Sequence, residues 1–315
     1  MIGVSEQRVG IGLVLGGIQL GTLLWLASCG GAPAPAASPT GEAPLDAQPA
    51  KRSNSDYSLD TLREKLHGGL GGASELRLAA QGLGPELGAL LSESAAVGNL
   101  TQLDVSDNDL GVEGARALAR SPNLKQIRDL DLGGNDIGDD GAEAFAHSAT
   151  LGGLETLNMS GNSITSRGAS ALVGGTASSL SSLDLSMNGI GSSGASALSR
   201  GKLPLRALYL LGCEIGADGA KELARAKGLS RLDVLALSGN SLGDEGAQAL
   251  AKSTAFQNLT TLDLCANGIG DVGALALAQA THFKKLKVIE LFGNRDIGQK
   301  GSTALRKRFG SGLHL

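Results

Sequence analysis

A nine-residue phrase, L-x-x-L/I-x-L-x-x-N/C, recurs eight times through most of this chain. The position of its last residue advances by 25 to 27 residues from copy to copy, and a degenerate copy ending at Gln81 precedes the series. A period of about 27 residues is typical of a solenoid, in which each unit packs only against its neighbours. The eight full copies are Leu100–Asn108, Ile127–Asn135, Leu154–Asn162, Leu180–Asn188, Leu205–Cys213, Leu232–Asn240, Leu259–Asn267 and Leu286–Asn294.

Each unit contains two segments that predict different secondary structures. The first alternates, as in Leu130-Asp131-Leu132, so its leucines share one face of a strand while the middle residue faces the other way. The second is rich in alanine, a good helix former, and carries a Gly-Ala pair such as Gly194-Ala195. We expect these small residues to let the helix approach the sheet closely. The sequence therefore predicts an α/β fold with one strand and one helix in each unit.

The last residue of each phrase is expected to turn inward and form a ladder along the solenoid. An asparagine amide at this position can bond backbone groups of the neighbouring coil that the bend after the strand leaves unpaired. Cysteine replaces asparagine once, and Gln81 holds the position in the terminal coil. The predicted ladder consists of Asn108, Asn135, Asn162, Asn188, Cys213, Asn240, Asn267 and Asn294.

These motifs resemble the leucine-rich repeats of the ribonuclease-inhibitor-like subfamily, which includes ribonuclease inhibitor and the Ran GTPase-activating proteins. The resemblance covers Leu76 to Leu305. It implies a horseshoe solenoid of about nine repeats, with parallel strands on the concave face and helices on the convex face. It also implies binding of a macromolecule through the concave face or the rim. The matching residues build the scaffold, so no functional residue of the family is carried over by position.

The N-terminal segment predicts an export signal of the bacterial lipoprotein type. An apolar run over 9–27 ends in Leu26-Ala27-Ser28-Cys29, which matches a lipobox, and diacylglyceryl transfer requires the thiol of Cys29. A retained membrane anchor and a chance match are the alternatives. Gly30, rather than an aspartate, follows the lipid site. We therefore expect an exported protein, lipid-anchored to the bacterial cell envelope, and in the outer membrane if the cell is Gram-negative.

The rest of the chain divides by composition. After the signal peptide, 1–29, residues 30–56 hold five of the eight prolines and few large apolar side chains, which predicts a disordered tether. We expect an N-terminal cap over 57–75, the solenoid over 76–305, and a C-terminal cap and tail over 306–315. The basic cluster at the start of that tail fits a polar cap, with contact to anionic lipid or a partner as the alternative.

Charge and motifs argue against catalysis, cofactors and nucleic acid. The formal net charge of -4 is unfavourable for general nucleic-acid binding. The four histidines lie far apart, and the chain lacks an H-E-x-x-H motif, a G-x-S-x-G motif and a cysteine pair at metal-ligand spacing. Aspartates in loops such as Gly138–Gly141 are expected to cap helices rather than to bind calcium. We therefore expect no enzyme, no cofactor and no metal site.

The outward residues of the strands predict a recognition surface with two zones. Numbering the units as coils one to nine, coils two to five present acids, and coils six to nine are expected to expose apolar side chains, which favour association. The acids have an alternative interpretation, since L-D-L is a common form of this repeat. The predicted binding face consists of Asp104, Asp131, Asn158, Asp184, Tyr209, Leu211, Val234, Asp263, Val288, Glu290 and Phe292.

These features favour a membrane-anchored, non-catalytic module that binds a protein or peptide through its concave face. The membrane is engaged through lipid on Cys29. Two alternatives stay open: a GTPase-activating regulator resembling the Ran GTPase-activating proteins, and a structural envelope lipoprotein. An exported chain would meet no cytosolic GTPase unless it were delivered into a host.

Overall fold

Strands and helices alternate along the part of the chain that the structure, a computed structural model, describes: residues 58–149 and 151–315. The predicted signal peptide, the lipidation site Cys29 and the tether lie outside the described residues. The strands are β1 (Glu75–Arg77), β2 (Gln102–Asp104), β3 (Asp129–Asp131), β4 (Thr156–Asn158), β5 (Ser182–Asp184), β6 (Ala207–Tyr209), β7 (Val234–Ala236), β8 (Thr261–Asp263), β9 (Val288–Glu290) and β10 (Leu313–His314). The helices are α1 (Leu59–His67), α2 (Glu86–Glu93), α3 (Gly111–Arg120), α4 (Gly138–Ala146), α5 (Ser166–Gly174), α6 (Gly191–Arg200), α7 (Gly216–Ala224), α8 (Gly243–Ala251), α9 (Asp271–Ala278) and α10 (Gln299–Phe309). Each coil is a strand with the helix that follows it, so coil one is β1 with α2.

The ten strands form one parallel sheet in the order of the chain. Their middle residues are in register, so that Leu103 lies opposite Leu130, which lies opposite Leu157. Consecutive helices from α2 to α10 contact each other and form a second layer. The predicted fold class, an α/β solenoid with one strand and one helix in each repeat, is confirmed.

The chain end forms a strand that the repeat pattern does not predict. We expected a cap and tail over 306–315, but Leu313 pairs with Ile289 and His314 pairs with Glu290 in β9. The alternation Leu313-His314-Leu315 is the sequence signal for this strand, without the rest of the repeat phrase. The tenth strand gives backbone partners to the edge that β9 would otherwise expose.

The hydrophobic core lies between the sheet and the helix layer. Leucines at the middle of the strands, such as Leu235 and Leu262, are fully buried, as are Ala247 and Leu250 on the inner face of α8. At the N-terminal end, α1 covers coil one with Leu62 and Leu66, which are both buried. A terminal coil of a solenoid exposes its core unless such an element covers it.

The glycines of the Gly-Ala pairs lie where neighbouring helices come together. A Cβ atom at Gly273 would lie 2.9 Å from the Cβ of Ala247 on the preceding helix, and one at Gly246 would lie 3.2 Å from the Cβ of Ala220. Real Cβ atoms rarely approach so closely. The glycines therefore allow close contact between neighbouring helices, while the expected close approach of helix to sheet stays a prediction.

The ladder asparagines link each coil to the one before it. The buried Asn135 donates from Nδ2 to the carbonyl of Val105 (2.9 Å), and its Oδ1 accepts from the N–H groups of Asn108 (3.0 Å) and Leu110 (3.2 Å). It also donates to Leu132 in its own coil (2.9 Å). Each amide therefore satisfies buried backbone groups in two coils, whose loss would be costly. Bonds to the preceding coil recur at Asn108, Asn162, Asn188, Asn240, Asn267 and Asn294.

The rung at Cys213 is weaker than its neighbours. Its thiol donates to the carbonyl of Leu185 (3.1 Å), as an asparagine amide would. Burial raises the pKa of Cys213 to about 12, so the donor is retained. The N–H of Asn188 faces only the sulfur, a weak acceptor, while the N–H of Ile190 turns to the carbonyl of Asn188 (3.0 Å). Coils five and six therefore share fewer strong bonds than other neighbours.

Aspartates in the first turn of three helices cap the next helix, not their own. Asp244 on α8 accepts from the N–H groups of Gly270 (2.8 Å) and Gly273 (2.7 Å) at the start of α9. Asp139 does the same for α5, and Asp271 for α10. The expectation that these loop aspartates cap helices was therefore right in kind but wrong in which helix. Parallel stacking places each first turn beside the open N–H groups of the following helix.

Candidate functional site

The sheet face opposite the helices carries three rows of side chains, because strand residues alternate between the two faces. The first row comes from the first residue of each strand and includes Val234 and Val288. The middle row comes from the third residue and runs Arg77, Asp104, Asp131, Asn158, Asp184, Tyr209, Ala236, Asp263 and Glu290. The last row lies two residues further on and includes Ser106, Ser160, Ser186, Leu211, Ser238, Cys265 and Phe292. All residues of the predicted binding face fall in these three rows.

The acids of the middle row bind their own backbone. Asp131 accepts from the N–H of Gly133 (2.9 Å), and Asp184 accepts from that of Ser186 (2.8 Å). The same bond, from the residue two positions later, recurs at Asp104, Asn158 and Asp263. An Asx side chain that satisfies a nearby N–H group in this way has a structural role. The acidic zone is therefore part of the scaffold, whatever else it contacts.

Two of these middle-row residues offer little surface to a partner. Asn158 is only 9% exposed and Asp184 only 6%, whereas Asp104 and Asp131 are half-buried. This corrects the expectation that all of them project freely from the sheet. Neighbouring strands stand about 4.8 Å apart, so side chains of equal length in one row cover each other.

Burial also changes the titration of the acidic row. Loss of hydration raises the pKa of Asp131 to about 6, with a smaller contribution from the nearby charges of Asp104 and Asp184, while bonds from Gly133 and the Asn158 amide lower it. Burial likewise raises the pKa of Asp184. Asp131 therefore changes charge close to neutral pH, unlike an ordinary carboxylate.

The apolar zone in coils six to nine is smaller than the sequence predicts. Leu211 is only 8% exposed, so it is a buried residue and not a surface contact. The last row is covered on both sides, as at Ser186 and Cys265, which are buried too. The backbone N–H of Leu211 also donates to the Ser186 hydroxyl (3.2 Å), which fixes coil six against coil five.

The remaining apolar side chains of this zone do reach the surface. Phe292 is 41% exposed, and Tyr209, Val234 and Val288 are half-buried. Within the described residues, β10 ends at His314 and places no last-row side chain beside Phe292. Tyr209 stands beside Ala236, whose small side chain leaves room for the ring. Together these four side chains form a patch that we call the apolar patch.

Two surface residues were missed by sequence reasoning. Met187 is 60% exposed, adopts a positive φ of 58°, and lies over Gly212 next to the apolar patch. It lies three residues after the end of β5, outside the alternation that identifies the residues of the sheet face. His314 extends the middle row into β10, where its Nδ1 lies 2.6 Å from the Oε1 of Glu290. The alternation at the chain end could have identified it.

Ser238 is an exception to the satisfied polar groups of the sheet. It is fully buried, and its hydroxyl is the one buried side-chain oxygen or nitrogen without a hydrogen-bond partner in residues 58–149 and 151–315. In coil five the equivalent Ser186 hydroxyl accepts from Leu211, but in coil eight Asp263 already holds the N–H of Cys265 (2.9 Å).

The described residues offer no cluster of three His, Cys, Asp or Glu side chains that could hold a metal ion. Cys213 and Cys265 are both free thiols and both buried, and burial raises the pKa of Cys265 as well. Within the same residues, each helix is too short or too polar to cross a bilayer.

Comparison with known proteins adds the family to this geometry. The family described as Leucine Rich repeat matches seven stretches of the chain: 99–119, 125–146, 154–173, 176–199, 203–224, 232–251 and 257–278. This chain is a leucine-rich-repeat protein. The matched stretches fall in coils two to eight, where the ladder is continuous apart from Cys213. Assignment to the ribonuclease-inhibitor-like subfamily stays a prediction.

Two solved structures are similar to this chain at low identity. A chain from the crystal structure of the Rad7 and Elc1 complex in yeast is 17% identical, with 80% of this chain and 83% of that chain covered and a TM-score of 0.40. A leucine-rich-repeat protein of Leptospira interrogans is also 17% identical, with 75% of this chain and 52% of that chain covered and a TM-score of 0.40. This leucine-rich-repeat protein therefore spans about half the length of the Leptospira chain. A search of curated proteins finds no match.

Proposed function

We propose that this leucine-rich-repeat protein is an exported, lipid-anchored, non-catalytic module that binds a protein or peptide through the sheet face. The observation that carries the proposal is the apolar patch on coils six to nine, where Tyr209, Val234, Val288 and Phe292 interrupt a surface otherwise built from small and polar residues. Aromatic side chains dominate the energetics of protein interfaces, so a partner has its anchor points here.

The dimensions of the patch suit a peptide-sized contact. Tyr209 and Phe292 belong to strands three positions apart in the sheet, which corresponds to about 14 Å across the strands. Val234 and Val288 lie in the first row of coils seven and nine and supply apolar surface between and beside the two rings. One extended segment or one helix of a partner spans this distance.

The half-buried acids of coils two and three, which lie on the same sheet face but three or four strands from Tyr209, would tune the encounter. Asp104 and Asp131 present partial negative surface, and the charge of Asp131 is lost as pH falls below its pKa of about 6. Charges at the margin of an interface act mainly on the association rate and its salt dependence. A partner with basic residues flanking an apolar segment fits this arrangement.

The binding experiment compares capture by the wild-type chain and by matched variants from an envelope extract, followed by affinity measurement with the recovered partner. The double variant Tyr209→Ala with Phe292→Ala should lose about 2–4 kcal/mol of binding, because it removes both aromatic anchors. Val272→Ala is the control, since Val272 is 55% exposed but lies on α9, off the sheet face. A partner that binds the double variant as tightly as the wild type would exclude the apolar patch as its site.

The anchor is tested separately by mass analysis of the protein from its host. Acylation of Cys29 with loss of 1–28 is the expected result, and Cys29→Ala should leave an unprocessed or unanchored species. A native protein without lipid that still begins at Met1 would rule out the lipoprotein proposal while leaving the binding proposal intact.

A further inference from the structure

The two loop edges of the sheet carry opposite charge in coils six to eight, where the edge that follows the strands holds five acids and one cation: Glu214, Asp218, Asp244, Glu245 and Asp271 with Lys221. One edge holds the segments between the last turn of each helix and the start of the next strand, and the parallel strands place all these segments on the same side. Across 200–206, 225–231, 252, 284–287 and 306–308 this edge carries thirteen Lys and Arg side chains, all exposed. We call it the basic edge. The carboxylates that neighbour it are Glu222 and Asp233.

The cations of the basic edge exceed what the helices themselves require. Basic residues in the last turn complement the negative end of the helix dipole, an effect that fades beyond that turn. Lys284, Lys285 and Lys287 lie after the end of α9, and Arg206 and Arg231 lie just before strands. Because every helix is parallel, the charges that suit single helices add up along the edge, and these loop cations add further to them.

Most of these cations have no partner in the protein. Arg206 pairs with Asp233 (2.7 Å) and Arg225 pairs with Glu222 (3.1 Å). Within the described residues, eight others, including Lys202, Lys284 and Lys287, form no ion pair and no side-chain hydrogen bond. Exposed cations of one sign in a continuous row repel each other, so the row is stabilised when an anionic partner binds.

We infer that the basic edge docks on an anionic lipid surface through phosphate-bearing headgroups, and so holds the solenoid edge-on with its sheet face free. The inference rests on the proposed function only for placing the protein near a membrane. An edge-on orientation follows from the opposite charge of the two edges, since an anionic surface attracts one and repels the other. The apolar patch then remains open to a partner.

Nucleic acid fits the basic edge less well than lipid. Single strands are held by cations combined with aromatic side chains on which the bases stack. The aromatic residues near this edge are Phe256 and Phe283, which are buried, and Phe309, which lies under the Arg308 guanidinium at 5.6 Å. The row therefore offers charge without a stacking platform.

A second copy of the chain also fits less well. The opposite edge is acidic, but its carboxylates in coils six to eight are already engaged. Asp244 and Asp271 cap helices, while Asp218 and Glu245 both bind Lys221, at 2.9 Å and 3.0 Å. Few free acids remain to meet the cations of a second molecule.

The test is lysine footprinting of the full chain reconstituted in vesicles of phosphatidylcholine alone or mixed with phosphatidylglycerol. Acylation of Lys284 and Lys287 should slow about five-fold or more in the anionic vesicles, and high salt should restore it. Lys300 is the internal control, because it is exposed in the same coil but lies at the opposite edge. Its rate should not differ between the two vesicles.

Three outcomes would overturn the inference. Equal rates for Lys284 and Lys287 in both vesicles would show that the edge does not contact headgroups. Equal slowing of Lys300 would show adsorption without orientation. Slowing that follows protein concentration rather than anionic lipid would point to a second copy.

Matched variants separate this inference from the proposed function. Lys284→Gln with Lys287→Gln should weaken the protection of the remaining lysines of the basic edge, whereas Arg295→Gln with Lys300→Gln removes the same charge and should not. In a Cys29→Ser chain the protection should persist in anionic vesicles. If Cys29 carries no lipid, the lysine protection would therefore still be seen. If the lysines are not protected, lipid attachment to Cys29 and partner binding are unaffected.

Discussion

Coils two to five and coils six to nine share one scaffold and differ in surface. In the first group the middle row consists of Asx residues that cap their own backbone, as Asp131 does for Gly133. In the second group Tyr209 and Ala236 replace them, so coils six and seven lose this bond, and only Asp263 in coil eight keeps it. The ladder is weakest at the boundary between the two groups, at Cys213. The scaffold is therefore set by buried residues that repeat, whereas the surface is free to change between one coil and the next.

The largest change in the free energy of unfolding is expected when a ladder asparagine is replaced in either group. Asn162 accepts from the N–H groups of Asn135 and Ile137 and donates to Leu132. Asn162→Ala should lower the free energy of unfolding by about 1–3 kcal/mol, because these buried groups lose their partner. Asn240→Ala should cause the same loss, because its amide makes the equivalent bonds around Cys213 and Leu210.

Denaturant unfolding measures both variants, and Gln81→Ala is the control. Gln81 bonds only the carbonyl of Ala79 in its own coil (2.9 Å), so its loss should be small. A clear difference between Asn162→Ala and Asn240→Ala would break the claim that both groups share one scaffold.

The next largest change in stability depends on pH and concerns coils two to five. Folding raises the pKa of Asp131 from 3.8 to about 6, so the folded protein holds a proton that the unfolded chain releases. Its contribution to stability is fully present below about pH 4 and is lost as pH rises through 6. Asp131→Asn removes the charge and keeps an acceptor for Gly133. The variant should gain about 1–2 kcal/mol relative to wild type at pH 7, and little at pH below 4.

Thermal or denaturant unfolding across this pH range checks the expectation. Asp136→Asn is the matched control, since Asp136 is exposed in the same coil but lies outside the sheet face. A gain for Asp131→Asn that is equal at all pH values would show that burial of its charge is not the cause.

The smallest effect is expected at the boundary between the two groups. Cys213→Asn supplies the oxygen acceptor that the N–H group of Asn188 lacks, and should raise the free energy of unfolding by about 1 kcal/mol. Native-state hydrogen exchange should show slower opening of coils five and six in the variant. An unchanged or lower stability would mean that the shorter repeat at this point has no room for the amide.

The sequence by itself determined the repeat, the strand and helix of each coil, and the inward position of the ladder residues. These features follow from side-chain periodicity, which is local information that each repeat carries in full. The boundaries of the matched repeats agree with this periodicity because the same few positions are buried in every coil. The predictions for the export signal, for Cys29 and for the tether have the same local basis and stay predictions.

Only the tertiary structure decided what lies between coils. Stacking of the coils buries Leu211 and Asp184 beside their neighbours. It also places Asp244 where its carboxylate caps the helix of the next coil. It adds β10 to the sheet through the pairing of His314 with Glu290. It also aligned the loop cations of successive coils into the basic edge. Each of these contacts joins residues about one repeat apart, whose proximity depends on how the coils stack, and a single repeat does not encode that geometry.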